Sequence, residues 1–159
     1  MSGEGKSLID RVIELLRNMP TKPAEYKPSR KGKMPSIHDK ILREIKDKLE
    51  PRFRRTLAEY GIDYIKREDR DPEYGRIELA VEVDRGKRAF RSWKKLLDIR
   101  ADNRVWIFIP DEDREDDFKW AVNKLKELIK SRGDDKELTG SFIAVFKRPT
   151  KFKVVDVIK

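Results

Sequence analysis

Cysteine is absent from this chain, which excludes disulfide bonds, thiol catalysis and zinc sites built on thiolates. Long apolar runs are absent as well, so no segment predicts a membrane span. The first residues also lack the apolar core of a secretion signal. Together these absences predict a soluble, cytoplasmic protein that does not associate with membranes.

Side-chain amides are scarce, with no glutamine and three asparagines. Charged residues, in contrast, make up 43% of the 159 residues, and both signs are mixed through every segment. Few thermolabile amides among many lysines, arginines and glutamates are typical of hyperthermophile proteins, so we expect a thermophilic source. The even mixture of signs argues against a disordered polyelectrolyte.

The charge balance is strongly positive, at +9 with the single histidine counted as neutral. Such a surplus attracts nucleic-acid phosphates, and it favours a nucleic-acid partner, which we expect to be DNA. The alternative is the ordinary lysine-rich surface of a thermophile protein.

The length fits one domain with an extension. We predict an N-terminal helix and a basic, proline-rich arm over residues 1–35, and a folded domain over residues 36–159. The arm carries Lys31 and Lys33 among four prolines and has no apolar period, which indicates extended backbone. It is either a phosphate-binding arm or a solvated linker.

Apolar periodicity, caps and turn residues predict the remaining elements. The predicted helices cover residues 7–18, 36–50, 87–98 and 112–132, and the predicted strands cover residues 62–68, 76–84, 104–109, 141–147 and 152–158. Residues 53–60 fit a helix or a strand, with the strand slightly favoured. We therefore expect an α/β (α+β) domain with a mixed central β-sheet flanked by helices.

Carboxylates gather on the predicted hairpin of residues 62–84. Glu82 and Asp84 are two residues apart on one strand, so their side chains point the same way from Cα atoms about 7 Å apart. If the turn pivots about Pro72 and Glu73, Asp63 lies opposite Glu82. Three such carboxylates would suit Mg²⁺ or Mn²⁺. A slip of one residue would move Asp63 to the other face.

Two residues of the helix over 36–50 are candidate accessories to this group. His38 could act as a base or a phosphate contact, or it could be a hydrogen-bonded core residue, since its helical angle places it among apolar positions. Glu44 could be an outer acid of the metal site. For the strand itself, acids that alternate with aliphatic residues are also typical of any half-solvated antiparallel strand.

Residues 36 to about 110 resemble the restriction-endonuclease-like PD-(D/E)xK nuclease superfamily in their order of elements and acids. By position, Asp63 matches the first acid of that motif and Glu82 matches the second. Asp84 stands where the lysine usually stands, and Ile62 precedes Asp63 in place of proline. Some members move the lysine to the following helix, where this chain has Lys94 and Lys95.

The resemblance implies a restriction-endonuclease-like core and Mg²⁺- or Mn²⁺-dependent hydrolysis of DNA, in repair or defence. It implies metal ligation by Asp63 and Glu82, with Asp84 as a third ligand or as the residue that orients the water. Lys94 or Lys95 would stabilise the phosphate. Outward basic residues would bind the nucleic acid: Lys31, Lys33, Lys87 and Arg91. Cleavage of both strands of a duplex would suggest a homodimer.

Two other functions remain open from the sequence. The missing motif lysine favours a nucleic-acid-binding or assembly module on the same fold without catalysis. A protein-interaction domain whose charge reflects only heat adaptation is the third function.

Overall fold

The computed structural model describes residues 7–20, 37–50, 61–85, 89–132, 138 and 140–158; for residues 89–92 it describes the backbone alone. Helices and strands follow one another in these ranges as α1 (Leu8–Asn18), α2 (Ile37–Leu49), β1 (Tyr64–Arg67), β2 (Ile77–Asp84), α3 (Ala89–Leu97), β3 (Asn103–Phe108), α4 (Glu115–Arg132), β4 (Ser141–Arg148) and β5 (Lys151–Ile158). Each described element has the type predicted for it, although several boundaries differ from the predicted ones.

The five strands form one mixed sheet in the order β1-β2-β3-β4-β5. β1 and β2 form an antiparallel hairpin, as do β4 and β5, whereas β2, β3 and β4 run parallel. The parallel neighbours are connected through α3 and α4, as parallel strands require a crossover. The expected mixed sheet flanked by helices is therefore confirmed.

Each face of the sheet is covered by a pair of helices, because side chains alternate along the central strands. On β3, Val105 and Ile107 pack in a cluster with α1 and α2, whereas Trp106 and Phe108 pack in a cluster with α3 and α4. The predicted apolar stripe of α2 is buried there, at Ile37, Ile41, Ile45 and Leu49. The chain thus forms three layers, with the sheet in the middle.

Capping explains where two helices begin. Ser7 Oγ accepts a hydrogen bond from Asp10 N at 3.1 Å, so α1 starts at Leu8. The helix predicted from residue 112 begins three residues later, at Glu115. Asp113 explains this later start. Its carboxylate accepts a hydrogen bond from the N–H of Glu115, the first helical residue, at 3.1 Å, and it also binds Lys151 Nζ at 2.8 Å.

Several basic side chains are buried, which the charge pattern did not predict. Arg104 donates from β3 to the carbonyl oxygens of Leu96 and Ile99, and so holds the end of α3. Lys147 lies over the ring of Phe152, with its Nζ 3.4 Å from the carbonyl oxygen of Arg17 at the end of α1. These contacts hold the ends of α3 and α1 against the sheet, because the last carbonyl oxygens of a helix lack partners within the helix.

Several predictions concern residues outside the described ranges. They include the basic arm with Lys31 and Lys33, the residues 53–60, and Lys87. The side chain of Arg91 is also outside the description. Among the helices that the structure describes, none is both long enough and apolar enough to cross a membrane.

Candidate acidic site on the first hairpin

The register of the β1–β2 hairpin brings two acids together. Tyr64 pairs with Val81, so Asp63, one residue earlier, lies opposite Glu82. The backbone N–H of Asp63 donates to Glu82 Oε1 at 3.0 Å, and that of Val83 donates to Asp63 Oδ2 at 2.8 Å. The predicted register is therefore confirmed, and each carboxylate is fixed by the neighbouring strand.

Asp84 is held from a different strand. Trp106 Nε1 of β3 donates to Asp84 Oδ2 at 2.6 Å. Asp84 therefore points, with Trp106, toward the face covered by α3 and α4. Sequence reasoning missed this contact, since only the parallel pairing of β2 with β3 brings the indole to the end of β2.

Glu82 is the most deeply buried acid of the group, with 2% of its surface exposed. Burial, and then the charge of Asp63, raise the pKa of Glu82 to about 7. Lys95 acts in the opposite direction, because its positive charge favours the carboxylate. Near neutral pH, Glu82 is therefore protonated in a substantial fraction of the molecules.

His38, in the first turn of α2, contacts the acids directly. Its Nε2 lies 3.1 Å from Asp63 Oδ2, and its Nδ1 lies 3.2 Å from Asp39 Oδ1. The hydrogen bond to Asp63 raises the pKa of His38 to about 9, with Asp39 adding to it and burial opposing it. His38 is half-buried, and both ring nitrogens face carboxylates. His38 is thus a hydrogen-bonded residue at the edge of the acidic site, and its role as a base or a phosphate contact stays a prediction.

The two candidate lysines of α3 differ in position. Lys95 Nζ donates to the carbonyl oxygen of Gly61 at 3.0 Å and is close enough to Glu82 to act on its pKa. Gly61 adopts a positive φ of 70°, which turns the backbone just before the acidic hairpin. Lys94 is exposed. Lys95 is thus the lysine that the fold brings to the carboxylates.

Glu44 pairs with a lysine of its own helix. It forms an ion pair with Lys40 Nζ at 3.0 Å, one turn earlier on α2. Its predicted role as an outer acid of a metal site stays a prediction.

The oxygen atoms of the group suit a hard divalent ion in their chemistry. Asp63 and Glu82 each use one oxygen in the bonds above, and within the described ranges their second oxygens, Asp63 Oδ1 and Glu82 Oε2, accept no hydrogen bond. In those ranges, however, no three His, Asp or Glu side chains stand in ligand geometry around a common point. Ligation by all three acids would therefore require their side chains to move. The oxygen donors fit such an ion in kind, and its binding stays a prediction.

Comparison with protein-family models, with curated proteins and with solved structures gives no match for this chain. The likeness to the PD-(D/E)xK superfamily therefore depends on the residues and the order of elements described above.

Proposed function

We propose that the protein hydrolyses phosphodiester bonds of DNA with the help of Mg²⁺ or Mn²⁺. The observation that carries this proposal is the meeting of Asp63 and Glu82 across the β1–β2 hairpin, with Asp84 two residues further along. Lys95 supplies a cation beside them. The surplus of nine positive charges supports a polyanionic substrate.

Each residue has a role that follows from its position. Asp63, Glu82 and Asp84 would hold the metal, which when bound supplies Lewis-acid activation of water and phosphate. Lys95 would donate to a phosphate oxygen and stabilise the charge that develops there. Trp106 holds Asp84 in one orientation, and the N–H of Val83 does the same for Asp63.

A second candidate function is a nucleic-acid-binding module on the same scaffold without catalysis. Two observations favour it. Asp84 replaces the motif lysine, and His38 already supplies a positive partner to Asp63 Oδ2. A protonated His38 would neutralise the acidic group in place of a metal ion.

Calorimetric titration with Mn²⁺ tests the first requirement of the hydrolase proposal. We expect the intact protein to bind, and Asp63→Ala and Glu82→Ala each to lose binding. Glu78→Gln is the matched control, since Glu78 lies on the same strand but pairs with Lys66 at 2.8 Å. No binding by the intact protein, or equal loss in the control, would contradict the proposal.

Cleavage assays then separate the two functions. The hydrolase should convert duplex or single-stranded DNA to shorter products with Mg²⁺ present, and Asp63→Ala should abolish this. Salt-sensitive DNA binding with no cleavage in Mg²⁺ or Mn²⁺ would establish the second function instead.

A further inference from the structure

A cavity of about 390 Å³ opens at the end of α3, beside the acidic hairpin. Its lining in the described part of the chain consists of Ile62, Ile77, Lys95, Asp98, Ile99 and Arg100. This volume lies within the range of small-molecule sites, which is roughly 300 to 1,000 Å³. The cavity is therefore large enough for a nucleobase with part of its sugar.

The lining combines an apolar floor with a positive rim. The three isoleucines are buried and provide the floor. Lys95 and Arg100 contribute positive charge at the rim, and Arg100 is exposed. The acid among these described residues, Asp98, is engaged by Arg132 Nη2 at 2.8 Å, so its negative charge is already compensated. The chemistry suits an apolar group attached to an anion.

The cavity also adjoins the acidic site. Ile62 directly precedes Asp63 in the chain. Lys95 lines the cavity, donates to the carbonyl oxygen of Gly61, and acts on the pKa of Glu82. A group bound in the cavity would therefore lie next to whatever phosphate the carboxylates and Lys95 engage.

We propose that this cavity binds the base of an unpaired nucleotide, with its phosphate held by Lys95 and Arg100. The position of that nucleotide, next to the phosphodiester that is cleaved, rests on the proposed function. Binding of the base in the cavity does not rest on the proposed function, because none of the three carboxylates lines the cavity. Enzymes that take a nucleotide out of a helix commonly hold its base against apolar side chains in such a pocket.

Methyl NMR of isoleucine-labelled protein in EDTA tests the proposal, with deoxyadenosine monophosphate as the probe. We expect saturable shifts of the methyl signals of Ile62, Ile77 and Ile99 at millimolar probe. Deoxyribose phosphate and inorganic phosphate, which lack a base, should not produce them. Arg100→Ala should weaken the response about tenfold, as loss of one charge-assisted hydrogen bond predicts. Arg70→Ala, at an exposed arginine of the β1–β2 turn, is the control and should leave the response unchanged.

The outcomes separate this proposal from the preceding one. Absence of methyl shifts, shifts of equal size with inorganic phosphate alone, or equal weakening by Arg70→Ala would each overturn the cavity proposal. Shifts produced by apolar amino-acid amides but not by the nucleotide would assign the cavity to a peptide and would overturn it as well. Methyl shifts without any Mn²⁺ binding in the calorimetric titration would leave nucleotide binding supported and would remove the hydrolase.

Discussion

At the scale of single residues, burial and neighbouring charges change the pKa values within the acidic group, some in opposite directions. Burial raises the pKa of Glu82, while Lys95 lowers it, and the negative charge of Asp63 acts on both Glu82 and His38. The negative charge of Asp63 therefore raises the pKa of both the His38 imidazole and the Glu82 carboxyl, and so couples the two groups. Such coupling is typical of functional sites, and it gives the protein a measurable dependence on pH.

Glu82→Gln should stabilise the protein, but only at higher pH. The folded state holds the proton of Glu82 more tightly than the unfolded chain does, so ionisation destabilises the fold progressively as pH rises from 4.5 to about 7. Above that range the variant should be more stable by about 3 kcal/mol, and near pH 4.5 the two proteins should be equal. Urea unfolding at both pH values measures this. A difference that does not change with pH would contradict the assigned pKa, and Glu78→Gln should not reproduce the pattern.

His38 gives the opposite dependence. Its pKa is raised, so its bond to Asp63 stabilises the fold fully below pH 6.5, and this contribution disappears as pH rises through 9. NMR titration of the imidazole should give a pKa near 9, and Asp63→Asn should bring it back toward 6.5. Asp39→Asn should lower it less, since Asp63 is the larger cause. An ordinary value in the intact protein would refute the pairing of His38 with Asp63.

At the scale of elements, the site combines residues of the sheet with residues of the helices on both of its faces. The β1–β2 hairpin contributes the acids, α2 contributes His38 from one face, and α3 contributes Lys95 from the other. β3 contributes Trp106, which fixes Asp84. The surroundings of Asp63, Glu82 and Asp84 therefore depend on how the helices and β3 pack against the hairpin.

Trp106→Phe tests how β3 supports Asp84. A smaller aromatic ring replaces the indole and the N–H that binds Asp84 is lost, so Mn²⁺ affinity should fall roughly tenfold or more. Trp93→Phe is a matched control, because Trp93 is equally buried and its Nε1 has no hydrogen-bond partner in the described ranges. The control should keep its Mn²⁺ affinity. Equal loss in both variants, measured by calorimetry, would show that ring packing matters and the hydrogen bond does not.

At the scale of the whole molecule, the charge of +9 is the property most relevant to partners. Internally, many charges are paired, as in the contacts of Glu115 with Lys119, Lys151 and Lys153. Exposed pairs of this kind contribute little to stability at ordinary temperature and more when they form networks at high temperature. The net surplus remains available to a polyanion.

DNA affinity should therefore fall steeply with salt. The logarithm of the binding constant should decrease linearly with the logarithm of salt concentration, with a slope of about −0.9 for each phosphate contact on duplex DNA. Fluorescence anisotropy of a labelled duplex over a salt series, in EDTA to prevent cleavage, provides the measurement. A flat dependence would exclude phosphate contacts and would favour a protein-interaction role.

The sequence by itself determined the type of each described element and the apolar faces of the helices. It also predicted that Asp63 lies opposite Glu82 if the turn pivots about Pro72 and Glu73. These features follow from periodicity, caps and a turn, which act over a few residues. Only the tertiary structure decided that His38 reaches Asp63, 25 residues away, and that Trp106 reaches Asp84, 22 residues away. It also decided that Lys95 binds the carbonyl oxygen of Gly61 and lies close enough to Glu82 to act on its pKa. Contacts of this kind depend on how layers pack, and side-chain patterns along a single element do not encode that packing.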